Sequence, residues 1–191
     1  MHVRRLTMLI TGAWLGLTLA MLFVATENFR GVDRMIAGPS PEASRSMENV
    51  PAAERRMLFR YLASELNRYF FDWYGIAQIC LAALLLLNLL FATNGNKWMM
   101  GISLAILALV VLERTVLFPE ITYLGRLLDF VPAEVSNPAR GRFWSFHNYF
   151  SVFEVVKILL LLFVSARMLV QRDIRRAAPD VRTEKRRYVK G

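Results

Sequence analysis

Cysteine and histidine are nearly absent from this chain. Among 191 residues there is one cysteine, Cys80, and there are two histidines, His2 and His147. A single thiol excludes an intramolecular disulfide and a paired-thiolate zinc site. A membrane b-type haem needs two axial ligands, and the only other histidine, His2, belongs to the opposite side of the membrane from His147. A His147–Met21 pair is conceivable as haem ligands, but nothing else in the sequence supports it. The sequence also lacks a metalloprotease helix motif, a nucleophile elbow, a phosphate-binding glycine loop and paired cysteines. Catalysis is therefore not expected, and neither is a cofactor or a bound metal.

Hydrophobic residues make up 55% of the chain, against 20% charged. They are gathered into four nearly unbroken runs, Leu6–Ala25, Tyr74–Thr93, Trp98–Phe118 and Tyr149–Val170. A bilayer core about 30 Å thick takes about 20 helical residues to cross. Four such runs exclude an ordinary soluble enzyme, a disordered tail and a secreted disulfide scaffold. The expected fold is an all-α membrane protein, an antiparallel four-helix transmembrane bundle with amphipathic helices in its outer loops. Residues 1–171 would form the membrane domain, with outer loops at 26–73 and 119–148, and 172–191 a basic tail.

The net charge of +9 is unevenly placed. Arg4, Arg5, Lys97 and the stretch from Arg167 onward carry all of the excess, whereas the four runs and the two long loops each balance to zero. Lysine and arginine resist translocation, so the basic side is expected to be cytoplasmic, with both termini inside. The tail then fixes orientation or also grips anionic lipid headgroups, at about 1 kcal/mol per basic residue near the surface. No nucleic-acid partner is expected, because the tail has no recognition module and only Tyr188 as an interleaved aromatic. Met1–Arg5 and the following run could also be read as a signal peptide cut near Thr18-Leu19-Ala20. An apolar stretch of about 20 residues exceeds the usual 7–15 of a signal core, which favours a retained helix.

Gly12, Gly16 and Ala20 recur every four residues and define a small-residue face suited to close packing against a sibling helix or a second copy. Between Pro51 and Trp73, the residues Leu58, Tyr61, Leu62, Leu66, Tyr69, Phe70 and Trp73 recur at three- and four-residue steps. This spacing makes an amphipathic helix that either lies on the outer surface before turning into the second span or packs over the outer ends of the bundle. Gly38-Pro39-Ser40-Pro41 reads as a turn leading into a polar linker. Glu120–Phe130 reads as a short amphipathic helix. Thr93–Lys97 reads as a tight turn that makes an antiparallel hairpin of spans two and three. Aromatic clusters at residues 69–74 and 143–150 mark the outer boundary.

Charged residues inside the runs are the most informative feature. At 1.5 Å per residue, Gln78, Glu113, Arg114 and Glu154 fall about 6–8 Å below the outer boundary, and Lys157 about 12 Å below it. Each charge costs up to about 3.5 kcal/mol at the centre of a span, so mutual pairing is expected. Glu154 and Lys157 share a helical face, and Arg114–Glu154 and Glu113–Lys157 are the plausible interhelical pairs. The cluster is either an outward-opening polar pocket for an ion, a headgroup or protons, or an ionic clasp with Arg114 and Lys157 snorkelling outward. His147 and Asn148 start the fourth run and read as interfacial hydrogen-bonding residues.

Three landmarks together resemble a known layout. They are Trp14-Leu15-Gly16 with the exit toward Asn28-Phe29, the approach Leu66-Asn67-Arg68-Tyr69-Phe70-Phe71, and Phe146-His147-Asn148-Tyr149-Phe150-Ser151 continuing to Glu154 and Lys157. They resemble uncharacterised four-helix bacterial inner-membrane proteins, a domain-of-unknown-function family similar in layout to copper-resistance-D-like membrane proteins. The resemblance implies a multi-pass protein of the bacterial inner membrane. Copper handling would want several His or Met ligands at one depth, and this sequence lacks that set. The expected role is non-enzymatic, structural or accessory to another membrane component, with lipids and a membrane protein or a second copy as partners. The alternative is a transporter or an ion- or lipid-binding protein that uses the polar cluster.

Overall fold

No proline interrupts the chain between Pro51 and Ala92, and the one glycine there, Gly75, sits inside a strongly helix-forming stretch. The whole segment is accordingly one helix. The computed structural model describes residues 2–92, 97–132 and 134–177, and it is all-helical, with no strand among the described residues. Its elements are α1 (His2–Ala37), α2 (Pro41–Ser46), α3 (Ala52–Ala92), α4 (Lys97–Leu112), a π turn (Glu113–Leu117), α5 (Phe118–Leu128) and α6 (Pro138–Ala177). The turn read at Thr93–Lys97, apart from Lys97 itself, and the tail from residue 178 onward lie outside the described residues.

Three helical stretches are long and apolar enough to cross a membrane, Val3–Ala37, Ala52–Phe91 and Lys97–Leu128. The fourth apolar run lies within α6, with Glu154 and Lys157 embedded in it. At 1.5 Å per residue, the 36 residues of α1, 41 of α3 and 40 of α6 extend about 54–62 Å, well beyond a single apolar run. The long loops expected at 26–73 and 119–148 are thus largely helical continuations of the runs.

Three details differ from the sequence reading. The amphipathic stretch 52–73 does not turn into the second run, because nothing in its sequence breaks the helix, and it continues straight into it as α3. Gly38–Pro41 leads into α2 rather than a linker; Ser40 caps α2 by accepting a hydrogen bond from Ala43 N at 3.2 Å, and Pro41 occupies the first turn. The helix that carries the third run continues past Phe118. Pro119 has no N–H for the carbonyl of Thr115, and the helix absorbs the missing bond by widening into the π turn just before it. The chain then continues as α5 to Leu128.

α1 packs along α3 and also against α6, while α4 packs on α3 and α6 and α5 on α6. Ile10 and Trp14 of α1, Ala82, Leu85 and Leu89 of α3, Ile106 and Val110 of α4 and Leu161 and Val164 of α6 meet in one buried core. Polar rungs fix the register of α1 on α3. Asn88 Nδ2 donates to Thr7 Oγ1 at 2.7 Å, Thr18 Oγ1 lies 2.9 Å from the Tyr74 hydroxyl, and Asn28 Nδ2 donates to Asn67 Oδ1 at 2.5 Å. Ser165 Oγ donates to Thr11 Oγ1 at 3.0 Å and ties α6 to α1. Ion pairs add to these ties at Arg68. Arg68 reaches Glu65 at 2.5 Å and Asp129 at 2.9 Å, passing Gly125, where a Cβ would come within 3.2 Å of the guanidinium.

The small-residue face does not pack within the chain. Gly12, Gly16 and Ala20 are exposed, and nothing lies within 4 Å of where a Cβ would stand at either glycine. α1 instead turns Thr7, Ile10, Thr11, Trp14 and Met21 inward, because these larger side chains bury more apolar area.

Candidate functional site

The buried positions of α4 and its continuation are Met99, Ser103, Ile106, Val110, Glu113 and Leu117, a 4-3-4-3-4 spacing that keeps one face inward. Glu113 therefore occupies a core position, at the first residue of the π turn. On α6, Lys157, Leu161, Val164 and Met168 form the matching inward stripe, and on α3 Tyr74, Gln78, Ala82 and Leu85 do the same. The register of three elements thus brings a lysine, a glutamate and a glutamine to one point.

Lys157 is 1% exposed. Its ammonium has three protons and meets three oxygens: Gln78 Oε1 at 2.5 Å, Glu154 Oε1 at 2.8 Å, and Glu113 Oε2 in a short ion pair. Glu154 accepts two further hydrogen bonds, from Gln78 Nε2 at 3.0 Å and from the Tyr74 hydroxyl at 3.0 Å. The single phenolic proton of Tyr74 is thereby committed to Glu154, so Thr18 is the donor in the Thr18–Tyr74 bond. The network joins α1, α3, the π turn and α6. Snorkelling of Lys157 does not occur, because three acceptors hold its head inside.

Arg114 takes a different direction from the one expected. One residue after Glu113 it faces a different side of the π turn, and its guanidinium binds Asp72 at 2.6 Å rather than Glu154. It also lies over the Phe118 ring at 5.8 Å. Gly75 makes room for this path, since a Cβ there would come 2.9 Å from Arg114 Cδ. Phe71, Tyr74, Gly75, Gln78, Val110, Glu113, Arg114, Phe118 and Phe150 line a cavity of about 10 Å³ beside the cluster, enough for a single water.

Three buried side-chain polar atoms among the described residues have no hydrogen-bond partner: Trp14 Nε1, Arg140 Nε and Glu113 Oε1. Of the residues that carry them, only Glu113 lines the cavity. Counting charges, two carboxylates face one ammonium, and one oxygen of one carboxylate is unused. No group of three or more His, Cys, Asp or Glu side chains that could hold a metal ion occurs among the described residues.

His147 is half-buried, stacked on Phe143 with ring centroids 5.9 Å apart and edge-on to Trp144 at 5.5 Å. Burial among these rings holds its imidazole below the ordinary value. Asn148 is exposed. Both precede the cluster on α6, with His147 seven residues from Glu154, about 10 Å along the axis.

Gln78, Glu113, Glu154 and Lys157 thus converge, while Arg114 sits at the cavity rim. Sequence reasoning missed Thr18, Asp72 and Tyr74. Tyr74 reads in sequence as a boundary aromatic, and its four-residue spacing to Gln78 is the signal that places it on the same face. Neither the known family models, the curated proteins nor the solved structures contain a match to this chain.

Proposed function

We propose that this chain is a non-enzymatic, multi-pass protein of a bacterial inner membrane, structural or accessory to another membrane component. Its four apolar runs cross as an antiparallel four-helix bundle, with both termini in the cytoplasm. The rungs Thr7–Asn88, Thr18–Tyr74 and Asn28–Asn67 support the opposite directions of α1 and α3. The charge distribution supports the sidedness. The resemblance to the four-helix inner-membrane family supports this layout and adds no chemistry to it.

One observation carries the accessory role. Leu58, Leu62, Leu66, Tyr69 and Trp73 form an exposed stripe on the outer part of α3. With the crossing beginning near Tyr74, Leu58 stands about 24 Å beyond the hydrocarbon edge, past the roughly 5–8 Å of headgroups on each side. Lipid tails do not reach it, and a stripe of this length facing water favours a protein partner. A photo-crosslinking residue at Leu62 or Leu66 in native membranes is expected to give adducts of defined protein mass. Adducts with lipid alone, or none, would contradict this role. The outward face of Gly12, Gly16 and Ala20 offers a second contact, at membrane depth, for a partner helix or another copy.

A second reading, an ion- or proton-handling protein, is favoured by the unpartnered Oε1 of Glu113, a residue that lines the cavity. Reconstituted in liposomes, the chain would then support a flux that Glu154→Gln abolishes. An unchanged flux in that variant would remove this reading.

A further inference from the structure

The two carboxylates of the cluster are not equivalent. Glu154 accepts from Lys157, Gln78 and Tyr74, so both of its oxygens are engaged by donors. Glu113 accepts at Oε2 from Lys157 only, and its Oε1, on a residue 4% exposed, has no partner. Lys157 has no proton left to offer, since all three already point at oxygens. With both acids ionised the cluster carries one net negative charge in an apolar surround, with a buried oxygen that nothing neutralises. Both conditions are costly, and one proton on that oxygen removes both.

We propose that Glu113 Oε1 is a proton-binding site, loaded and emptied through the small cavity past the Arg114–Asp72 ion pair. This rests on the second reading above and names its ligand. A metal cation fits the geometry poorly. Hard cations take about six or more oxygens, whereas here Glu113 Oε2, Gln78 Oε1 and Glu154 Oε1 are already held by the ammonium and the cavity has room for one water. A proton requires a single lone pair.

The groups around Glu113 are consistent with this role. From α6 it faces the Lys157 ammonium and, across it, Glu154. From α3 come the Tyr74 hydroxyl and Gln78, and Asp72 at the rim. On its own turn Arg114 is directed away to Asp72, so no second cation neutralises Oε1. The remaining cavity walls, Phe71, Val110, Phe118 and Phe150, are apolar. Arg114 and Asp72 are both partly exposed, with side chains 30% and 46% accessible, so the ion pair stands between the cavity and the surroundings. A proton arriving from water there crosses the cavity to Glu113, which lines it, and leaves by the same route.

Infrared difference spectroscopy of the full chain in lipid nanodiscs, recorded as pH is stepped through neutrality, tests this. The expected result is a protonated-carboxyl stretch that shifts on deuteration, moves in position in Glu113→Asp and stays in place in Glu154→Asp. Asp72→Asn, which releases Arg114 and leaves the cluster untouched, is expected to speed deuterium exchange of that band several-fold. Uniform ¹³C labelling of glutamate in the wild-type chain shows that the band belongs to a glutamate, and Glu113→Gln, which leaves Lys157 its bonds to Glu154 and Gln78, is expected to remove it. Absence of the band at every pH, its displacement by Glu154→Asp in place of Glu113→Asp, or its appearance only when sodium is withdrawn would overturn the proposal. So would an exchange rate unaffected by Asp72→Asn. A missing liposome flux with the band present would instead remove transport and leave the proton site standing.

Discussion

Replacing Lys157 by methionine isolates the physics of the cluster. The substitution keeps most of the side-chain volume and removes the one cation that faces both Glu113 and Glu154. Breaking a buried ion pair from one side costs about 3–5 kcal/mol, because the abandoned charge stays buried. At about 1.4 kcal/mol per tenfold, the folded-to-unfolded ratio falls by roughly two to three and a half orders of magnitude. Glu113→Gln has the opposite character. Lys157 keeps Glu154 and Gln78, the remaining pair is neutral, and the new amide offers an oxygen where Oε2 stood, so the expected loss is below about 1 kcal/mol. Reversible unfolding in mixed micelles or bicelles, followed by far-ultraviolet circular dichroism, measures both. The deficit of Lys157→Met should also shrink as pH falls, since protons on the two carboxyls then replace the missing charge. Losses in the two variants that agree within about 1 kcal/mol, or a Lys157→Met deficit that does not change with pH, would refute the reasoning.

Asn88→Ala removes the bonds to Thr7 Oγ1 and Val3 O at the far end of the α1–α3 pair; a loss of about 0.6–1.7 kcal/mol is expected in the same unfolding assay, and no loss would show that this rung is idle. Asp129→Asn weakens the largely buried tie from the C-cap of α5 to Arg68, and hydrogen exchange should then quicken in α5 while α4 stays protected. His147, buried among Phe143 and Trp144, should titrate by NMR below an exposed histidine. Because the unfolded chain binds that proton more readily, the fold should lose stability as pH falls through the range in which an exposed imidazole charges. A midpoint at or above the exposed value would contradict the stacking.

Much of the polar cluster was legible because charges inside apolar runs are few and the rise per residue fixes their depth. Gln78, Glu113, Glu154 and Lys157 stood out on that ground alone. What the sequence hid was direction. Glu113 and Arg114 are neighbours, so one must turn away, and which one does is set by the inward stripe from Met99 to Leu117 and by the space that Gly75 leaves on α3. Asp72 was hidden because a carboxylate at a boundary normally meets water. Helix ends were the weaker part of the reading. The third run reads as ending at Phe118, yet the π turn carries the helix past it. The residues 52–73 looked like a separate surface helix, although no breaker separates them from the second run. The small residues at 12, 16 and 20 suggest a contact with a sibling helix or a second copy; within the chain, larger α1 side chains make the contact instead.

The central claim is that a charged lysine sits inside the helical core, held by two carboxylates from different elements. Solid-state NMR of the lipid-embedded chain, with ¹⁵N-lysine and ¹³C-glutamate labels, tests it directly. Lys157 Nζ is expected to resonate as an ammonium and to correlate with the carboxyl carbons of both Glu113 and Glu154. An Nζ signal without either correlation, exchanging freely with bulk water, would contradict the account.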